Sequence, residues 1–145
     1  MISKKTKYAL IALLNLTRKK DEGPVLIGNI AAEENIPKKF LEGILLDLKR
    51  AGILNSKSGK GGGYYLRKSP DDVNMADVMR VFDGAIALIP CATYRFYERC
   101  DECQDEDLCS IRLAFQEVRH ASVRIFKSYT LTNLLEKEAY LKEIL

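Results

Sequence analysis

Histidine is almost absent from this chain. His120 is the only one among 145 residues, and no cysteine lies outside the segment 91–109. A redox enzyme or electron carrier has little to work with here. Beyond His120 there is no plausible general base, no Rossmann glycine fingerprint, and no βαβ context in which a CxxC pair reads as thioredoxin-like. No run of residues is apolar for long enough to cross a bilayer, and the opening MISKKTKYAL lacks the apolar core and cleavage site of a signal peptide. The expectation is a cytoplasmic protein with no membrane partner. In that reducing compartment, thiols clustered among acids suit metal binding or redox sensing better than structural disulfides.

The chain is long enough to bury a real core as one domain, or as one domain with an appendage. Its net charge of +3 conceals a division. Residues 1–68 carry 14 Lys/Arg against 6 Asp/Glu, whereas residues 69–145 carry 9 against 14. A basic half is the electrostatic footprint of a polyanionic partner, although a solvated basic face gives the same count.

Within the basic half, apolar residues Tyr8, Ala9, Ile11, Ala12, Leu13 and Leu16 lie near helical spacing and predict a helix over 3–20 capped by Ser3. Its last turn holds Arg18, Lys19 and Lys20, where cations suit the helix dipole. After Asp21-Glu22-Gly23-Pro24, the apolar link Val25-Leu26-Ile27 is a possible short strand. A short helix over 29–34 follows, then a turn at Asn35-Ile36-Pro37 and a longer helix over 38–51, with Gly52 as its C-terminal stop. That helix puts Phe40, Leu41, Ile44, Leu45 and Leu48 on one face, and Lys38, Lys39, Glu42, Gly43 and Asp47 largely on the other. Gly43 in mid-helix costs roughly 1 kcal/mol relative to Ala, so packing must hold the helix. Short helix, tight turn and longer helix with a polar outer face make a helix-turn-helix, though an ordinary helical hairpin has the same outline.

Two strand candidates come next, Ile53–Ser56 and Gly63–Leu66, joined by the basic, glycine-rich tip Lys57-Ser58-Gly59-Lys60-Gly61-Gly62. Glycines let backbone approach a phosphate ridge or groove floor, and lysines there release counterions. A helix-turn-helix followed by such a hairpin is a winged helix; the alternative is a flexible solvent loop. The expected fold is therefore mainly α with a small β wing, a winged helix-turn-helix domain plus a long C-terminal dimerisation helix. The candidate DNA contacts are Lys38, Lys39, Glu42, Lys57, Ser58, Lys60, Gly61 and Tyr64. Lysines would meet phosphate, and Glu42 can accept from a cytosine amino group.

The segments TKYALIALLNL, IPKKFLEGILLDLKRAGIL and SKSGKGGGYYL together resemble the Rrf2 family of bacterial transcription regulators, which includes an iron–sulfur cluster regulator and a nitric-oxide-sensing repressor. The resemblance runs through nearly the whole chain. It implies a homodimeric winged-helix regulator that binds a palindromic operator in double-stranded DNA. Many members carry arginine where this chain has Ser58, so Lys57 and Lys60 are left as the wing's cations.

In the acidic half, Asn74 can cap a helix through Asp83, with Val78, Val81 and Phe82 inward, and the apolar linker 84–90 leads into the cysteines. Their spacing is Cys91-x8-Cys100-x2-Cys103-x5-Cys109. A CxxC pair can grip one metal ion or cluster iron, and further thiols complete a four-sulfur set. The spacing matches neither a zinc finger nor a ferredoxin and does not choose among an iron–sulfur cluster, zinc and a metal-free thiol switch. The family resemblance does choose. Members that sense through this loop hold an iron–sulfur cluster (two-iron or four-iron) on three cysteines, which carries the ligand role to Cys91, Cys103 and Cys109. Other members take a fourth ligand from a histidine three residues past the last cysteine, or from the partner's first helix. Here the first position is Arg112, and residues 3–20 hold no Asp, Glu, His or Cys. His120 lies about 16 Å along the helix from Cys109. Within the resemblance, Cys100 stands as the fourth ligand, with zinc as the alternative metal.

A long helix over 110–129 repeats Ile111, Phe115, Val118, Ser122 and Ile125 at alternating spacings of three and four, with Ala114 and Ala121 beside them. That is a coiled-coil-like seam, suited to a dimer. A last helix over 132–144 has Leu134, Leu135, Tyr140 and Leu141 to pack on the body. The chain thus divides into a winged helix-turn-helix DNA-binding region (1–68), a connecting helix and linker (69–90), a cysteine-rich sensor loop (91–109) and dimerisation helices (110–145). The expected function is a DNA-binding repressor whose operator affinity follows the metal or redox state of the loop.

Overall fold

A computed structural model describes residues 2–145. Six helices and one two-stranded sheet follow in the order α1 (Lys4–Arg18), α2 (Ile27–Glu34), α3 (Lys38–Arg50), β1 (Leu54–Lys57), β2 (Gly63–Leu66), α4 (Met75–Phe82), α5 (Ser110–Ser128) and α6 (Leu131–Ile144). Among the described residues, no helix is long and apolar enough to cross a membrane.

The expected starts follow from local chemistry. Ser3 caps α1 by accepting from the Thr6 amide, and Asn74 caps α4 by accepting from the Asp77 amide. Asn35 ends α2 in the left-handed region (φ 53°), which Asn tolerates better than most residues, and so turns the chain sharply into α3. The core gathers Leu13 and Leu16 of α1, Ile30 of α2, and Leu41, Ile44, Leu45 and Leu48 of α3, all fully buried or nearly so. Burying a leucine contributes about 1.5–3 kcal/mol, which offsets the helix penalty of Gly43. Phe40 is the exception on that face. It is 38% exposed and stacks edge-on against Tyr8 with ring centroids 5.6 Å apart.

β1 and β2 pair antiparallel from Leu54↔Leu66 to Lys57↔Gly63. Val25 adds a third, single-residue rung: its amide and carbonyl exchange bonds of 2.8 Å with Tyr64. The possible strand at 25–27 is thus one bridge residue, and Ile27 already belongs to α2. The rung passes very close to Gly63, whose φ of +142° suits glycine and where an added Cβ would collide with the Val25 carbonyl. Gly63→Ala should therefore detach the wing from the body and lower stability by on the order of 2 kcal/mol, measured as a drop in urea midpoint. An unshifted midpoint would show that the wing folds without this rung.

The C-terminal part returns to the body at one place. Met75 N–H donates to the Tyr129 carbonyl and Leu131 N–H to the Val73 carbonyl, both at 3.0 Å, and Leu131 is fully buried. Leu131, one residue before the expected helix, is thus the anchor, while Tyr140 and Leu141 are exposed rather than packed. Salt bridges from Arg18 to Glu34 (3.1 Å) and Glu138 (3.4 Å) join α1, α2 and α6. Lys19 bonds Glu33, and that hydrogen bond, with one from Asn15, holds the Glu33 carboxyl below its usual range. These cations answer carboxylates of other helices more than the dipole of their own.

α5 contains no fully buried residue among those described. Phe115 and Ser122 are half-buried against their own chain, so the more open stripe differs from the expected one by a single position at two places, Ala114 for Phe115 and the also half-buried Ala121 for Ser122. It runs Ile111, Ala114, Val118, Ala121, Ile125, with Ile111 66%, Val118 46% and Ile125 51% exposed.

Candidate nucleic-acid interface and thiol loop

Lys38, Lys39, Glu42 and Gly43 occupy the first two turns of α3 on the side away from the core, and all four are exposed. At the wing tip Lys57, Ser58, Lys60 and Gly61 are exposed as well. Gly59 (φ +83°) and Gly61 (φ +73°) are both left-handed, and the Gly62 amide closes the turn on the Gly59 carbonyl at 3.0 Å. A glycine-rich tip is therefore a steric requirement of this turn as well as an aid to close approach. None of Lys38, Lys39, Lys57 and Lys60 is paired with a carboxylate among the described residues. The Lys49 ammonium donates to Ser56 Oγ at 2.7 Å and links the end of α3 to the wing.

Tyr64 sits elsewhere. It is half-buried against the core beneath the wing, and strand alternation turns Tyr65 outward instead. Two further lysines have no signal in their spacing. Lys20 and Lys68 join Lys57 around a groove of about 320 Å³ floored by Gly23, Pro24 and Tyr65. Lys20 stands at the end of a basic run, but only folding brings it beside the wing.

The thiol segment leaves α4 through Asp83, whose carboxylate accepts from Thr6 Oγ1 (2.6 Å) and from the Ser3 amide (3.2 Å). Burial pushes this carboxyl up, but the bonds from Thr6 and Ser3 together outweigh it and hold it below its usual range. The root of the loop is thereby tied to the start of α1. Cys91 lies half-buried in a short 3-10 turn, Pro90–Ala92. Cys100 and Cys103 share a tight turn in which the Cys103 amide donates to the Cys100 carbonyl at 3.1 Å. Arg99 steadies that turn by donating to the carbonyls of Cys103 (3.1 Å) and Gln104 (3.3 Å). The exposed Cys100 thiol donates to Glu102 at 3.4 Å, and this bond raises its pKa, in keeping with the acids around it. Cys109 is the N-cap of α5, its sulfur accepting from the Arg112 amide at 3.4 Å.

Arg112 contributes more than its backbone. Its Nε donates to the Cys91 carbonyl at 3.0 Å and so clasps the two ends of the cysteine segment. In sequence Arg112 stands out only as a residue unable to ligate; the signal for its clasp is purely three-dimensional. All four thiols are free of disulfides. Four thiols in one short segment are chemically suited to iron or zinc. Their geometry does not yet form a site, because no three His, Cys, Asp or Glu side chains gather closely enough among the described residues to hold one ion.

The profile of the Rrf2 family, described as an iron-dependent transcriptional regulator, matches residues 2–137. The chain is 44% identical over 138 residues to a putative HTH-type transcriptional regulator, rrf2-like, of Rhodobacter capsulatus, with 93% of this chain and 92% of that protein covered. It is 32% identical over 140 residues to the HTH-type transcriptional regulator NsrR of Geobacillus kaustophilus, covering 97% and 92%. Among solved structures, that of CymR, the global cysteine regulator of B. subtilis, superposes with a TM-score of 0.79 at 29% identity, covering 94% of this chain and 97% of that one.

Proposed function

This chain belongs to the Rrf2 family, whose members are DNA-binding transcription regulators and not enzymes, and on that premise we propose that it is a cytoplasmic, homodimeric repressor of a palindromic operator. The observation that carries this reading is the set of exposed, unpaired lysines on α3 and at the wing tip, on the same chain as an open apolar seam on α5. In the complex α3 lies in the major groove, with Lys38 and Lys39 on phosphate and Glu42 on a base edge, while Lys57, Ser58, Lys60 and Gly61 track the adjacent backbone. Tyr64 supports the wing from beneath. Two α5 helices pair along the seam and set two copies of α3 about one DNA turn apart.

The control element is the segment 91–109, and Cys91, Cys100, Cys103 and Cys109 are its reactive groups. An iron–sulfur cluster bound there would supply a redox-labile, oxidant-sensitive centre. Zinc would supply a structural one. The free thiols, with Cys100 and Cys103 in one turn, support a second reading, a metal-free switch in which a peroxide-type oxidant takes two electrons from a pair of these thiols and two protons leave as the disulfide forms. In every case the chain's own connections transmit the change. The segment is rooted by Asp83 to α1, clasped by Arg112, and capped into α5 by Cys109, so a change in its order bears on the angle between the DNA-reading body and the seam.

The deciding measurement is an absorption spectrum of anaerobically purified protein, with iron, sulfide and zinc assays on the same sample. Visible bands accompanied by iron and sulfide, lost in Cys103→Ala, are the expected result. A colourless protein with stoichiometric zinc would make the loop structural, and a metal-free protein even after reconstitution would leave the thiol switch.

A further inference from the structure

A pocket of about 380 Å³ opens between the end of α4, the linker behind it, the first residues of the cysteine segment and the middle of α5. It lies in the acidic half of the chain, yet Arg80, Arg95 and Arg119 line it and no Asp or Glu does. Arg119 stacks on the face of Tyr94, its guanidinium carbon 4.1 Å from the ring centroid. The Tyr94 hydroxyl lies 3.2 Å from Nε2 of His120, which holds the ring in place. Stacking of this kind uses none of the guanidinium N–H donors. Phe96 also lines the pocket and packs near Gly84, whose added Cβ would lie 3.3 Å from the ring.

Among the described residues neither Arg95 nor Arg119 has a carboxylate partner, and Arg80 has only a long contact of 3.8 Å to Asp77. Three like charges around one concavity repel each other until an anion enters. Planar guanidinium forks match carboxylate and phosphate oxygens in a bidentate way that a point charge does not. We infer that this pocket binds a small polyanion, a di- or tricarboxylate or a polyphosphate, as an effector separate from the thiol chemistry. Its lining comes from α4, the linker, the thiol segment and α5, so an anion held there fixes the body against the long helix. The site does not require that the cysteines hold a metal.

Isothermal titration of the full chain with citrate and with inorganic pyrophosphate, at constant ionic strength and with acetate as a monoanion control, tests this. The expected result is saturable one-site binding of at least one of them, and which one binds separates the carboxylate from the phosphate class. Arg95→Gln and Arg119→Gln should each weaken binding at least tenfold, and Arg95→Lys should restore part of it. A Lys57→Ala, Lys60→Ala double change, at the remote wing, should leave it unchanged. Absence of saturable binding by either probe, binding indifferent to both arginine changes, or equal loss with the wing lysines would overturn the assignment.

Discussion

Val118→Asp and Ile125→Asp together should give a folded monomer whose operator affinity is lower by about a hundredfold or more. Both side chains are about half exposed in the single chain, so their replacement removes little from the core of the protomer. In the proposed dimer they would become interior. Each buried Val or Ile contributes about 1.5–3 kcal/mol, and the change repeats on both partners and brings carboxylates together across the axis. The seam alternates large and small residues, Ile111-Ala114-Val118-Ala121-Ile125, and the alanines allow the helices a close approach. Losing the proposed dimer would lose the second half-site, whose binding that dimer would make effectively intramolecular. Sedimentation, circular dichroism and operator titration check the three parts separately. A variant that stays dimeric would move the interface off α5.

The second large effect concerns salt. Lys57→Ala with Lys60→Ala should reduce the slope of log K against log salt by about 1 for each phosphate that a protomer no longer neutralises. Affinity at moderate ionic strength should fall with it, similarly for specific and random DNA, because phosphate contacts carry no sequence information. Both ammonium groups are exposed and unpaired in the free protein, so their removal costs the fold almost nothing. Fluorescence anisotropy over a salt series measures the slope. An unchanged slope would remove the wing from the interface. The Lys20–Lys68 groove beside Lys57 would then be the next basic surface to test.

Much of the molecule is legible in the order of its residues. Ser3 and Asn74 announce helix starts because a short polar side chain facing a free amide is a local event. The wing tip reads as a hairpin because its glycines are needed where φ is positive, which neighbouring residues alone dictate. Proximity of faces is what misleads. Phe115 and Ser122 share a helical stripe with Ile111, yet both are half-buried in the folded chain while Ile111 stays open. Tyr140 and Leu141 have the spacing of a packed face, and nothing in the single chain covers them. Tyr64 lies next to the basic tip in sequence, but strand alternation sends it inward to the Val25 rung.

The family, the order of helices and strands, the division of charge and the set of four thiols all follow from the residues alone, since they rest on periodicity, caps and composition read a few positions at a time. Folding was needed to settle which side of α5 is open, that Arg112 clasps Cys91, that Asp83 ties the loop to α1, and that three arginines far apart in sequence surround one pocket. The clasp and the tie join residues 21 and 77 positions apart, where spacing carries no signal and only packing brings charges and donors together.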